Sequence, residues 1–381
     1  MANSNVFYRP PPSVIDKLSK LNWALLITLC LLTGVGLAAQ YSVAGGSWSP
    51  WAERHAMRFL VGLGVLIAMS VVPLGVWLRL AWPAYGIALV ALALVPLIGI
   101  EALGARRWLA LGPFSFQPSE LTKVALIMAL ASYLRALPPQ RLSHPIWLLI
   151  PVAMIAVPVA LVLRQPDLGT AMMIGIVGGG MLMLAGVNLL YFAGAGAVAV
   201  IGVPLAIPYL HDYQRRRIDS FLDPSSDPLG SGYHITQSKI ALGSGGTSGK
   251  GFLAGTQSQL DFLPEKHTDF IFTTIGEEWG FVGAIAVLAL FALLVTVLMS
   301  MSLSTASRFG RLLISGAALV VFGYAAINIG MVSGMVPVVG VPLPFVSYGG
   351  TSMMTLLIGL GLAMSAYVHR DDAMNGMARP R

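Results

Sequence analysis

The sequence has a single cysteine among 381 residues, Cys30, set inside an apolar run. That count excludes an intrachain disulfide and a thiolate metal site, and the residue reads as a small core side chain. Charge is scarce as well: Asp, Glu, Lys and Arg make up 10% of the chain, and only 16 residues are acidic. None of the six histidines has an HxxxH or HxH partner, so no histidine-based metal site is visible. No low-complexity tract and no inverted repeat between halves stands out, although Gly (42) and Pro (24) are plentiful. The stretch GSGGTSGKG, 243–251, superficially resembles a nucleotide loop. It has Ser244 where the GxxxxGK spacing needs Gly, and Gly251 where Ser or Thr is needed. It reads equally well as backbone that approaches a ligand closely or as a flexible turn.

What the chain does have is apolar length. It is 56% hydrophobic, with mean hydropathy +0.78, which points to an all-α polytopic membrane protein. Apolar runs fall at about 23–43, 59–78, 81–100, 121–136, 146–163, 170–185, 189–209, 270–299, 311–331 and 351–368. Each must be helical, because lipid cannot satisfy open backbone. This predicts one ten-helix domain over 22–368, an N-terminal segment 1–21 with an amphipathic stretch at 14–21, and a tail 369–381. The first run is read as a span and not as a cleaved signal. An even count puts both termini on one side. Short segments on that side hold eleven Lys and Arg against five opposite, so the termini are expected in the cytoplasm. The net charge of +7 is explained by this topology and by anionic lipid headgroups, with no nucleic-acid partner.

On this orientation the plain loops face inward. The longest segment, 210–268 between the seventh and eighth spans, faces outward and is expected to be functional. The densest charge lies at its end, FLPEKHTDFIFTTIGEEWG, 262–280, where Glu265, Lys266, His267 and Asp269 precede a span containing Glu277 and Glu278. Ionisable groups at membrane depth are expensive and tend to face a cavity. A helix starting near Asp269 would put Glu277 on the same side, about 12 Å deeper. Asp269 is then a cavity-mouth carboxylate suited to general-base work. In the outward segment 104–123, Pro118 opens a helix, Glu120 and Lys123 are spaced i,i+3, and Arg106 and Arg107 stand just before. This reads either as a structural ion pair or as a cationic floor under an anionic headgroup. Arg164 to Asp167 is a tight outward turn that reads equally as turn chemistry alone or as charges projecting toward a central cavity. Arg215, Arg216 and Arg217 suit phosphate, although a self-paired charge run with Asp219, Asp223 and Asp227 is the default. The Pro- and Gly-rich loop 331–352 is expected to roof the cavity, and Asn328 to play a structural part.

Six segments together resemble the SEDS family of bacterial cell-wall polymerases, over nearly the whole chain: RRW at 106–108, FQPSELTK at 116–123, RQPDLGT at 164–170, GYHITQSKIALGSGG at 232–246, LPEKHTDFIF at 263–272 and PLPFVSYGG at 342–350. Softer cues, EKHTDF, FLDP and VPLP, favour its elongation branch over its division branch. The resemblance implies ten membrane helices and an inverting peptidoglycan glycosyltransferase that polymerises lipid II at the outer face of the bacterial cytoplasmic membrane. It implies a class B penicillin-binding protein transpeptidase and the elongation machinery as partners. The family's essential aspartate falls on Asp269, and its paired Glu and Lys on Glu120 and Lys123. Trp108, Lys239 and Ser347, within these motifs, join Arg106, Arg107, Arg164, Arg215, Lys266 and His267 as candidate contacts for lipid II and the lipid-linked glycan strand. No cofactor is evident, although a divalent cation, Mg or Mn, could share the diphosphate's charge. A lipid II flippase and a division-type polymerase are the alternatives, and a scaffold without chemistry is a third.

Overall fold

The computed structural model describes residues 13–102, 105–112, 114–206, 212–223, 230–260 and 265–371. Expectations for the two tails, Gly104, Asp227 and the Leu263–Pro264 start of the charged motif lie outside the described residues. A surface helix, α1 (Val14–Ser19), begins with a capping box. Ser13 accepts from the Asp16 amide while the Asp16 carboxylate accepts from the Ser13 amide. Helices α2 (Trp23–Val43), α3 (Trp51–Ser70) and α4 (Leu74–Ile98) follow, then strands β1 (Ile100–Ala102), β2 (Ala105–Leu111) and β3 (Phe114–Phe116). The second part of the chain holds α5 (Pro118–Ala136), α6 (Pro139–Leu142), α7 (Pro145–Leu163), α8 (Leu168–Ala185) and α9 (Leu189–Ala206). Helices α10 (Asp212–Leu222), α11 (Ser231–Ser244) and α12 (Thr256–Gln259) lie in the long segment, and α13 (Ile271–Leu303), α14 (Arg308–Val332) and α15 (Gly350–Val368) complete the fold.

Seven of these helices, α2, α4, α7, α8, α13, α14 and α15, are long and apolar enough to cross a membrane. Three more, α3, α5 and α9, are 18 residues or longer. The ionisable residues of α3 and α5 dilute their hydropathy. The expected run 59–78 is corrected: the apolar stretch is cut at Pro73, and Trp51 to Arg58 form the first two turns of α3 instead of a loop. Charged residues there hid the helix start that Pro50 marks.

Helix α14 is the hub, packed on α13, α8, α15 and α5, with 78% of its most apolar window buried. Its run of small residues, Ser315 to Ala318, allows the close approach on which helix association in lipid depends. A small antiparallel sheet, unforeseen in the sequence, joins α4 to α5, in order β1-β2-β3. Trp108 pairs with Ile100 and Leu109 with Phe116. The alternation in RRWLAL and the left-handed Gly112 (φ 61°) are the local reasons for it.

Helix α13 is broken at Gly280 (φ 65°, ψ −161°), and the glycine loop 246–251 fills the break. Lys250 and Gly251 amides donate to the Glu277 and Glu278 carbonyls, while Phe281 and Val282 amides donate to Gly246 and Thr247 carbonyls. The groups freed by the interruption are thereby satisfied, as buried backbone requires. The loop is thus backbone against backbone, neither a ligand cradle nor a free turn. Gly249 (φ 80°) has room for no side chain, since a Cβ there would sit 2.0 Å from the Glu278 carbonyl oxygen. Gly249→Ala should destabilise the chain by roughly 2 kcal/mol, read as a lower thermal midpoint of the detergent-solubilised protein. Gly64, with open space around it, is the control: Gly64→Ala should leave that midpoint equal or higher.

Candidate active site

A cavity of about 1380 Å³ lies where strands β2 and β3, helices α3, α5, α8, α14 and α15 and the loop after α14 converge. Asp269, His267, Thr268 and Glu265 reach it from the segment before α13, Glu120 and Lys123 from α5, Arg107 and Trp108 from β2, and Arg58 from α3. It therefore gathers five of the six motifs singled out in the sequence, all but 232–246, and residues of the loop 339–350 wall it as expected.

Glu120 and Lys123 sit on the first turns of α5, whose start is set by Pro118. Their side chains are 7% and 3% exposed, and Lys123 Nζ lies 2.7 Å from Glu120 Oε1. The hydroxyl of Tyr324 on α14 lies 2.7 Å from both Glu120 oxygens, and Lys123 Nζ meets that hydroxyl too. The i,i+3 pair is thus a buried three-residue network. Tyr324 gave no sequence signal, being a lone tyrosine in an apolar run.

The segment carrying Asp269 is held by its carbonyls. The His267 carbonyl accepts from the Gln40 amide group (3.0 Å) and the Tyr348 amide (2.9 Å). The Thr268 carbonyl accepts from the Ser347 hydroxyl at 2.5 Å, and the Asp269 carbonyl from the Asn328 side-chain amide at 2.9 Å. Asn328 also holds the Val341 carbonyl at 2.7 Å, tying the roof loop to the same point. Three successive pinned carbonyls fix the half-buried Asp269 while leaving its carboxylate on the cavity. Supporting bonds of this kind give a reacting group one geometry. Ser347 is buried, with its hydroxyl engaged in this way, and so holds backbone instead of facing the cavity. Asn328 has the structural place expected of it.

His267 stacks on Trp51 (ring centroids 4.0 Å apart, 23° between planes) and lies 6.1 Å from the Tyr348 ring. Burial holds its pKa below the ordinary value, Glu265 pulls it up, and Lys266 pushes it down. The shift favours the neutral ring, and the imidazole contributes a stacking surface.

Glu277 does not lie beneath Asp269 in the cavity. Helix α13 starts at Ile271, two residues later than expected, and the Glu277 carboxylate turns to the long segment. There it meets Lys250 at 2.7 Å, Thr256 at 2.9 Å and the Gln257 amide at 3.1 Å. Glu278 accepts from Ser42 at 2.5 Å. Both carboxylates knit the long segment and α2 to α13.

The remaining candidates divide. Arg107 is half-buried, and its guanidinium donates to the Gln165 and Pro166 carbonyls at 3.3 and 2.5 Å, so the β2 strand and the α7–α8 turn brace one another. Asp167 caps α8 through Thr170 (3.1 Å) and accepts from Gln117 at 3.2 Å. Arg106 is exposed beside Glu101 at 3.8 Å. Arg164 and Arg215 are exposed and do not line the cavity. Lys239 on α11 lies against Gly334, and Lys266 is half-buried outside the lining. The side chains of Arg216 and Arg217 lie outside the described residues. Sequence reasoning passed over Arg58, counting it only as a loop cation because the apolar run starts one residue later.

Comparison with known proteins agrees with this architecture. A family model described as "Cell cycle protein", FTSW_RODA_SPOVE, matches residues 16–372. The chain is 43% identical over 353 residues to the peptidoglycan glycosyltransferase MrdB of Escherichia coli K12, covering 91% of this chain and 93% of that one. It is 36% identical over 368 residues to the probable peptidoglycan glycosyltransferase FtsW of Trichlorobacter lovleyi, covering 92% and 93%. Among solved structures it resembles a chain from work on structural coordination of polymerization and crosslinking by a peptidoglycan synthase complex, with TM-score 0.81, 31% identity and coverage of 93% and 99%. It also resembles the rod shape determining protein RodA of Thermus thermophilus, with TM-score 0.69, 27% identity and coverage of 93% and 98%.

Proposed function

The chain belongs to the FtsW/RodA/SpoVE family of cell cycle proteins, and from that premise we propose that it is a peptidoglycan glycosyltransferase that polymerises lipid II during cell elongation. The observation that carries the reading is one cavity holding a backbone-pinned Asp269 together with the cations Lys123, Arg107 and Arg58. The acceptor sugar hydroxyl attacks the anomeric carbon of the lipid-linked donor and a new C–O bond forms with inversion. The anomeric C–O bond to the diphosphate breaks, and the hydroxyl proton passes to the Asp269 carboxylate. The leaving polyprenyl diphosphate is already a stabilised anion, so it needs cations more than it needs an acid, and one carboxylate serves where glycoside hydrolysis uses two. Lys123 supplies charge for the diphosphate oxygens.

Among the described residues no three His, Cys, Asp or Glu gather to hold a metal. Glu120 and Asp167, the buried acids of the cavity, are engaged with Lys123, Tyr324, Thr170 and Gln117. A divalent cation in this scheme travels on the diphosphate.

Among the described residues, the ten helices of 18 residues or more each cross the bacterial cytoplasmic membrane, with both termini in the cytoplasm and the cavity facing outward. The greater identity to MrdB than to FtsW, with the likeness to a rod shape determining protein, supports elongation over division. The likeness to a chain of a peptidoglycan synthase complex supports a class B penicillin-binding protein as crosslinking partner. The purified chain, reconstituted with that partner and lipid II in vesicles, should release polyprenyl diphosphate and form glycan strands. Movement of labelled lipid II across the bilayer without any polymer would overturn the reading in favour of a flippase.

A further inference from the structure

We propose that Arg58 is an anion-binding residue at the lipid-side mouth of the cavity, where it takes the diphosphate of the lipid-linked substrate as the apolar chain stays in the membrane. The inference rests on the proposed substrate class and adds a residue outside the motifs of the family resemblance.

The first ground is where the residue stands. Arg58 lies in the second turn of α3, between Met57 and Val61, and all three line the cavity. Met57 and Val61 are 59% and 56% exposed, on a helix whose outer face meets lipid in the proposed topology. Leu121, 38% exposed, continues the apolar rim from α5. The wall therefore changes from apolar and lipid-facing to cationic within one turn. A lipid-linked diphosphate changes in the same way, from polyprenyl chain to anion, over a comparable length.

The second ground is how the guanidinium is held. It stacks over the Tyr348 ring, 4.7 Å from the centroid, and Tyr348 donates its amide to the His267 carbonyl, two residues before Asp269. At Gly350, a Cβ would come within 2.8 Å of Arg58 Cζ and Nη1, so the absence of a side chain there makes room for the guanidinium. Among the described residues, no carboxylate forms an ion pair with Arg58. Lys123 shares its charge with Glu120, Arg107 also donates to two carbonyls, and Arg106 lies beside Glu101. Arg58 is thus a half-buried cation whose planar fork is oriented by an aromatic face and, among the described residues, is in no ion pair. Guanidinium forks match phosphate oxygens two at a time.

The test uses the full chain in nanodiscs and two probes, a labelled polyprenyl diphosphate without sugar and the corresponding uncharged polyprenol. In Arg58→Gln the diphosphate should bind about tenfold more weakly and the polyprenol equally well. Arg58→Lys should recover part of the loss. Gly350→Ala, which keeps the charge but displaces the guanidinium, should weaken diphosphate binding similarly and add nothing to Arg58→Gln in the double variant. In polymerisation, Arg58→Gln should raise KM about tenfold with kcat within a factor of two. Unchanged diphosphate affinity in Arg58→Gln would overturn the proposal. So would a KM effect that vanishes on lipid II with amidated stem carboxylates, since Arg58 would then be reading the peptide. The binding assay needs no turnover, so failure of the polymerase reading and failure of the Arg58 assignment give different results.

Discussion

Asp269→Asn is expected to lower glycan polymerisation by a factor of about 10²–10⁴, the range over which a positioned base contributes. Asparagine keeps the size of the side chain and a hydrogen-bonding oxygen but cannot take the acceptor's proton. The backbone should hold its place, because the bonds on its carbonyls are kept: Gln40 and Tyr348 on 267, Ser347 on 268 and Asn328 on 269. The loss should therefore fall on kcat, with polyprenyl diphosphate affinity and thermal midpoint close to those of the parent chain. Glycan strands formed at the parent rate by reconstituted Asp269→Asn would remove the base from this residue. A large drop in thermal midpoint would instead place the effect in folding.

The second large effect lies in the Glu120–Lys123–Tyr324 network. Lys123→Met leaves the Glu120 carboxylate buried, with Tyr324 but without its cation. Breaking a buried pair from one side typically costs about 3–5 kcal/mol, because the remaining charge is uncompensated. Glu120→Gln with Lys123→Met removes both charges, keeps an acceptor for the Tyr324 hydroxyl, and fills similar volume. The double variant should regain most of the stability, as seen in thermal midpoints of the three proteins. Polymerisation should stay low in the double variant, since Lys123 also supplies charge to the departing diphosphate. If activity returns together with stability, the pair is structural and the diphosphate is held elsewhere.

Both experiments concern residues that the sequence exposes through a cost. An acid or a cation at membrane depth requires a reason, and in a chain with 10% charged residues Glu120, Lys123 and Asp269 stand out. Other residues show no such cost. Tyr324 and Gln40 look like ordinary occupants of apolar runs, and their roles arise only because α14 meets α5 and α2 meets the 265–270 segment. Ser347 carried a motif signal, but its hydroxyl points at backbone, a direction that no spacing reveals. Arg58 was hidden by a boundary error: hydropathy places the start of a span where charges end, whereas helix α3 begins two turns earlier.

By itself the sequence determined the long apolar helices, the crowding of charge into a few segments, the i,i+3 pairing of Glu120 with Lys123 and the candidacy of Asp269. Those depend on periodicity and on the cost of charge in lipid, which are local properties. The tertiary structure alone decided that Glu277 leaves the cavity for Lys250 and that the glycine loop repairs the break at Gly280. It also decided that three carbonyls are pinned beside Asp269 and that Arg58 reaches the same cavity. Each of these depends on which distant backbone comes to satisfy a buried polar group, and that is settled only when the helices pack.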